Sequence, residues 1–164
     1  MKAQLDEQSV IKANAQFWEQ MLGMTLEPQP AAIAFDSLLG MGYANGHVMG
    51  RVQLSGAWRG LIEVRMAAGL AQLATATMMM QPIETVLEAD ILDAAKEIAN
   101  MIAGSIKSSL PRPCAMHVPE SSVEGGHGVY GMECSLVVEF RHESGKLMVH
   151  ILEQECFSEG KSVT

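Results

Sequence analysis

The stretch Asp93-Ala94-Ala95-Lys96-Glu97-Ile98-Ala99-Asn100-Met101-Ile102-Ala103-Gly104 lies inside a 3.6-residue pattern that runs from about 88 to 109 and stops before Pro111 and Pro113. At 100° per residue, Ile91, Ala95, Ile98, Ile102 and Ile106 fall in one narrow arc, which is expected to face a sheet. Asp93, Glu97, Asn100 and Gly104 fall in the opposite arc. Glu97 and Asn100 are three residues apart, so their side chains are neighbours on the outer face of a helix. Gly104 stands one turn further on and offers no side chain there. An interior glycine costs a helix about 1 kcal/mol. Either close approach by another surface or tight internal packing would account for it. Taken without its surroundings, an outward Glu and Asn pair is ordinary solvated surface.

The surroundings are patterned on both sides. Upstream, Val48, Gly50, Val52 and Leu54 alternate with Met49, Arg51 and Gln53, and Gly60, Ile62, Val64 and Met66 alternate with Leu61, Glu63 and Arg65. With Ser55-Gly56-Ala57 between them, the two runs predict an antiparallel hairpin. A helix over about 67–79 follows, with Leu70, Leu73, Ala74 and Thr77 on one face, and Met78-Met79-Met80 reads as the buried end of that helix rather than an exposed recognition patch. Downstream, Cys114 to Val118 reads as a short strand ending at Pro119, and Glu120 to Gly131 as a long glycine-rich connection. Cys134, Leu136, Val138 and Phe140, then Leu147, Val149 and Ile151, form a second hairpin through Glu143-Ser144-Gly145-Lys146.

Near the N-terminus, Val10, Ala13, Phe17 and Met21 make one apolar stripe of a helix over about 6–22, ended by Gly23. Pro28 and Pro30 enforce an extended connector, 31–35 reads as a short strand, and Ala44-Asn45-Gly46 as a turn among glycines. A polar tail from about 155 is expected to fray. The order helix, hairpin, two helices, strands predicts an α+β fold with a mainly antiparallel sheet packed against long helices, in one domain over 1–164 with its core at about 45–152.

The 164 residues suffice for one core, and 48% hydrophobic against 18% charged residues excludes disorder. Eleven basic and nineteen acidic residues leave a net charge of -8, which argues against a nucleic-acid or anionic-membrane surface. No apolar run approaches the ~20 residues of a membrane span, and the polar opening Met1-Lys2-Ala3-Gln4-Leu5-Asp6-Glu7 lacks the apolar stretch of a signal peptide, so a cytoplasmic protein is expected. Cys114, Cys134 and Cys156, without a CxxC, read as reduced and mostly buried thiols.

The segment from Asp93 to Gly104 resembles the signature helix of the CheX branch of the CheC/CheX chemotaxis phosphatases: a Glu, two residues, an Asn, then a glycine four residues later. The glycine-bearing hairpin before it, the short strand ending at Pro119 and the final strand pair stand in the family's order, so the resemblance covers roughly 45–152. It implies a phosphatase that hydrolyses the aspartyl phosphate of a CheY-like response regulator, with no cofactor of its own and with Mg²⁺ supplied by the regulator. By the same resemblance Asn100 would orient the attacking water, Glu97 would pair with a lysine of the regulator, and Asp93 and Gly104 would make contact at most. A carboxamide suits the first role because it both donates and accepts hydrogen bonds. The chain has three asparagines, Asn14, Asn45 and Asn100, and three residues before them stand Ile11, Gly42 and Glu97. The motif therefore occurs once, which favours CheX over CheC, and with CheX a homodimer. The alternative is a non-catalytic module of the same fold that binds a response regulator or a motility component.

Other constellations are weaker. Cys114-x-x-His117 is half of a metal site. Gly125-Gly126-His127-Gly128 opens no helix and lacks Lys, so it reads as a loop rather than an anion cradle. No nucleophile elbow links the serines and histidines.

Overall fold

The computed structural model describes residues 5–30, 47–123 and 133–154. The strand expected at 31–35, the turn at 44–46, Gly125 to Gly128, Cys156 and the tail from 155 lie outside these residues. The helix α1, Glu7–Ala15, begins where Asp6 accepts the Ser9 backbone N–H at 2.8 Å and its Oγ–H at 2.7 Å. Those two bonds hold the Asp6 carboxyl below its ordinary range. Val10, Ala13 and Phe17 are buried as the stripe requires, but Met21 is 60% exposed. The reason is a change of period: Gln16–Met21 is a π-helical extension of α1, whose wider turn rotates Met21 off the stripe. Gly23, at φ 65°, closes the helix.

The strands β1 (Glu27–Pro28), β2 (His47–Gly56), β3 (Gly60–Ala67), β4 (Cys114–Met116), β5 (Glu120–Val123), β6 (Glu133–His142) and β7 (Gly145–Glu153) form one antiparallel sheet in the order β1-β6-β7-β3-β2-β4. The first hairpin holds the expected register, with Val48 opposite Met66 and Leu54 opposite Gly60. Two expected coils prove to be strands. Glu27–Pro28 pairs with Arg141 and Phe140 of β6, and β5, the start of the expected connection, pairs with β2 beside β4. Neither segment alternates in polarity; each forms because an open sheet edge leaves backbone N–H and C=O groups to satisfy.

The helix α2 (Ala68–Met79) and the helix α3 (Glu88–Lys107) follow the first hairpin, with a 3₁₀ turn at Ile83–Thr85 between them. In α2, Leu70 and Ala74 are buried as expected, but the stripe runs through Ala71 and Thr75, and Thr77 is exposed. Alanines gave that helix too little contrast for its face to be read. The core lies between the helices and the sheet face carrying Val52, Leu54, Ile62, Val64, Val149 and Ile151.

The other sheet face is also shielded from water. Met49, Leu61, Glu63, Glu139, Met148 and His150 are all buried there. Its charges are paired: Arg65 Nη2 lies 3.0 Å from Glu63 Oε2, and Lys146 and Arg141 each lie 3.7 Å from the Glu139 carboxylate. Such pairing is the condition on which buried charges persist. Burial pushes the Lys146 ammonium below its usual value, against the opposing pull of Glu139.

Candidate functional site

The backbone N–H of Leu87 donates to the Asp90 carboxylate at 3.0 Å, fixing the first turn of α3. Glu88 and Asp90 at its start and Lys107 at its end match the helix dipole. Ala94, Ala95, Ile98, Ala99, Ile102, Ala103 and Ile106 are buried. The alanines let the helix approach closely, and so does Gly50 beneath it: a Cβ there would overlap the Ala95 carbonyl oxygen. The seating is tight enough to fix which way the opposite face points.

That face carries Asp93, Glu97, Asn100 and Gly104, all exposed, as the periodicity requires. The structure brings Glu97 and Asn100 together on adjacent positions of one rigid helix. No hydrogen bond or ion pair engages Asp93, Glu97 or Asn100 among the described residues, so their polar groups are open to another molecule. Gly104 resolves the choice left by the sequence: a Cβ there would meet only Met116 Sδ, at 3.9 Å, an ordinary contact. Internal packing therefore does not call for that glycine.

The second feature of the site was not legible in the sequence. The triple methionine does not end buried. Met79 is 46% and Met80 92% exposed, and Met80 takes a left-handed conformation at φ 54° as the helix terminates. The expectation failed because the chain leaves the core at the end of α2, with Gln81 N–H bonding back to the Ala76 carbonyl at 3.1 Å. These methionines, with Met21 from the π turn and Met101 from α3, line a groove of about 520 Å³ that also includes Asp90, Asp93 and Glu97. A composition-level signal, thirteen methionines, was present, but not its location.

The Cys114–His117 pair does not converge on one point. Half-buried Cys114 directs its thiol to the Trp58 carbonyl at 3.7 Å, whereas the His117 ring pairs with Ser55 Oγ at 2.8 Å. Among the described residues no three His, Cys, Asp or Glu side chains cluster to hold a metal ion, and no helix is long and apolar enough to cross a membrane. What the helix face can do is positioning: a carboxamide that donates and accepts, and beside it a carboxylate able to receive a cation.

Residues 48–141 match the family model described as chemotaxis phosphatase CheX. Comparison with curated proteins returned no match. Among solved structures, the chain is similar to the chemotaxis protein CheX from Vibrio vulnificus, at 20% identity and TM-score 0.71 over 94% of this chain and 99% of that one. It is similar to CheX in the CheX–CheY–BeF₃–Mg²⁺ complex from Borrelia burgdorferi, at 17% identity and TM-score 0.67 over 93% and 100%. The middle domain of FliM from Vibrio alginolyticus shares the fold more distantly, at 10% identity and TM-score 0.55 over 88% of each chain.

Proposed function

The chain belongs to the CheX family of chemotaxis phosphatases, and we propose that it hydrolyses the aspartyl phosphate of a CheY-like response regulator, with Asn100 and Glu97 as the residues that act. The observation that carries this reading is the open row of Glu97 and Asn100 on a helix face held rigid from behind. Water attacks the phosphorus in line, the bond from phosphorus to the aspartyl oxygen breaks, and inorganic phosphate and a free carboxylate result. Such a reaction needs placement and charge neutralisation more than covalent chemistry. Asn100 accepts a hydrogen bond from the water and, through its N–H₂, donates one towards the phosphoryl group. Glu97 receives a lysine ammonium of the regulator and so sets the register of the two proteins. Mg²⁺ belongs to the regulator and neutralises the phosphoryl oxygens there. Asp93 and Gly104 form the margins of the contact, and the bare backbone at Gly104 allows close approach.

The working form in this reading is a cytoplasmic homodimer that leaves both Glu97–Asn100 faces free. The second reading, a binding module without catalysis, is favoured by the likeness to the FliM middle domain. One experiment separates them. With a phosphorylated regulator and Mg²⁺, the wild type accelerates phosphate loss. Asn100→Ala removes most of the acceleration, roughly a hundredfold as for loss of a positioned catalytic group, and retains binding. Glu97→Ala weakens both. Tight binding with an unchanged decay rate establishes the module instead.

A further inference from the structure

We infer that the methionine-lined groove is the receptor for an apolar patch on the receiver domain of the response regulator, next to its phosphorylated aspartate. The inference rests on the proposed function and adds to it a second, hydrophobic contact that selects the partner. Two independent features meet there. Met80 combines 92% exposure with a left-handed backbone, φ 54°, that a side-chain-bearing residue adopts at a cost. Folding alone does not require a methionine at that position. Met21 is 60% exposed because the π turn rotates it out of the core and into the same groove as Met79 and Met101. Large apolar side chains gathered on a surface mark an interaction site, and methionine is suited to it because its unbranched, polarisable chain adapts to the shape it meets.

The occupant follows from continuity and charge. Glu97 lines the groove and also stands beside Asn100, so whatever seats on one borders the other. Asp93 stands one turn before Glu97, and among the described residues the groove is lined by carboxylates and no Lys or Arg. Such a rim favours a partner that brings a basic side chain beside an apolar surface. A second copy of this chain does not fit that description. A two-fold contact through this groove would bring its carboxylates, Asp90, Asp93 and Glu97, towards the same carboxylates of the second copy, in a protein of net charge -8.

The test uses the full chain and the receiver domain activated by beryllofluoride and Mg²⁺, with Kd measured by calorimetry. Met80→Gly deletes the side chain and relieves the left-handed backbone, so the fold is retained. The combination of Met21→Ser, Met79→Ser and Met80→Gly is expected to raise Kd more than about tenfold, the scale of one to two buried methionines. Val118→Ser, which removes an exposed apolar side chain outside the groove, is expected to leave Kd unchanged. If the wild type binds the receiver and the triple variant binds equally well, the groove inference is overturned while the phosphatase reading stands. If the triple variant instead loses self-association with unchanged receiver binding, the groove holds a second copy and the inference is likewise overturned. If the wild type does not bind the activated receiver at all, the phosphatase reading fails and takes the inference with it.

Discussion

Gly50→Ala should unseat the functional helix by a single methyl group. An ideal Cβ on Gly50 overlaps the Ala95 carbonyl oxygen, lies 2.9 Å from its carbonyl carbon and 3.0 Å from Ala99 Cβ. Carbon atoms in good contact sit about 3.5–4.0 Å apart. Backbone cannot yield as a side-chain tip can, because the Ala95 carbonyl belongs to the helical ladder and Gly50 is held in the sheet opposite Val64. The helix must therefore move off the sheet by several tenths of an ångström. That opens the contact made by Ile98, Ile102 and Ile106, each fully buried. Overpacking of this kind costs about 1–3 kcal/mol, and we expect the upper end, about 3 kcal/mol, because both partners are main chain. For a chain of this size each kcal/mol lowers Tm by about 2–4 °C, so Tm should fall by about 6–12 °C. Urea unfolding followed by circular dichroism gives the stability, and phosphate release from the regulator gives the effect on the displaced Glu97 and Asn100. A variant within about 0.5 kcal/mol of wild type, the range of an ordinary surface substitution, would refute the account of how α3 is seated.

Gly104→Ala is the matched control: its Cβ meets only Met116 Sδ at 3.9 Å, so it should stabilise the helix by up to about 1 kcal/mol in urea while raising KM for the regulator. His150 is buried, and burial first, then the charge of Arg65, lowers its pKa to about 4. Glu63 faces it across the sheet but is engaged by Arg65 at 3.0 Å, and Val137 faces it from β6. Its folded pKa lies below the unfolded value of 6.5, so its contribution is present in full above pH 6.5 and is lost as pH falls from there to about 4. The loss approaches 3 kcal/mol in order of magnitude, roughly 1.4 kcal/mol per unit; unfolding of His150→Gln should show a flatter slope across that window, and an unchanged slope would count against the assignment. Light scattering at micromolar concentration should give twice the 17.7 kDa chain mass, and a clean monomer mass would remove the proposed homodimer.

The sequence by itself determined the elements whose polarity repeats with a definite period. The site helix is the best case: Ile91, Ala95, Ile98, Ile102 and Ile106 against Asp93, Glu97, Asn100 and Gly104 set its inner and outer faces before any neighbour is known, and of the five only Ile91 stays half-buried. The hairpin from 47 to 67 and the final strand pair were legible for the same reason, with period two and glycine at the turns. Tertiary structure decided what has no periodic signature. The π turn that exposes Met21 costs one residue of register and changes no composition. The strands at Glu27–Pro28 and Glu120–Val123 exist only because a sheet edge is present to bond them. The methionines at 78–80 read as core because a local pattern reports what a side chain prefers. Where α2 ends relative to the core is set by how α2 packs, and that placed Met79 and Met80 at the surface beside Glu97. Hydrophobicity is a property of the residue, whereas exposure is a property of the fold.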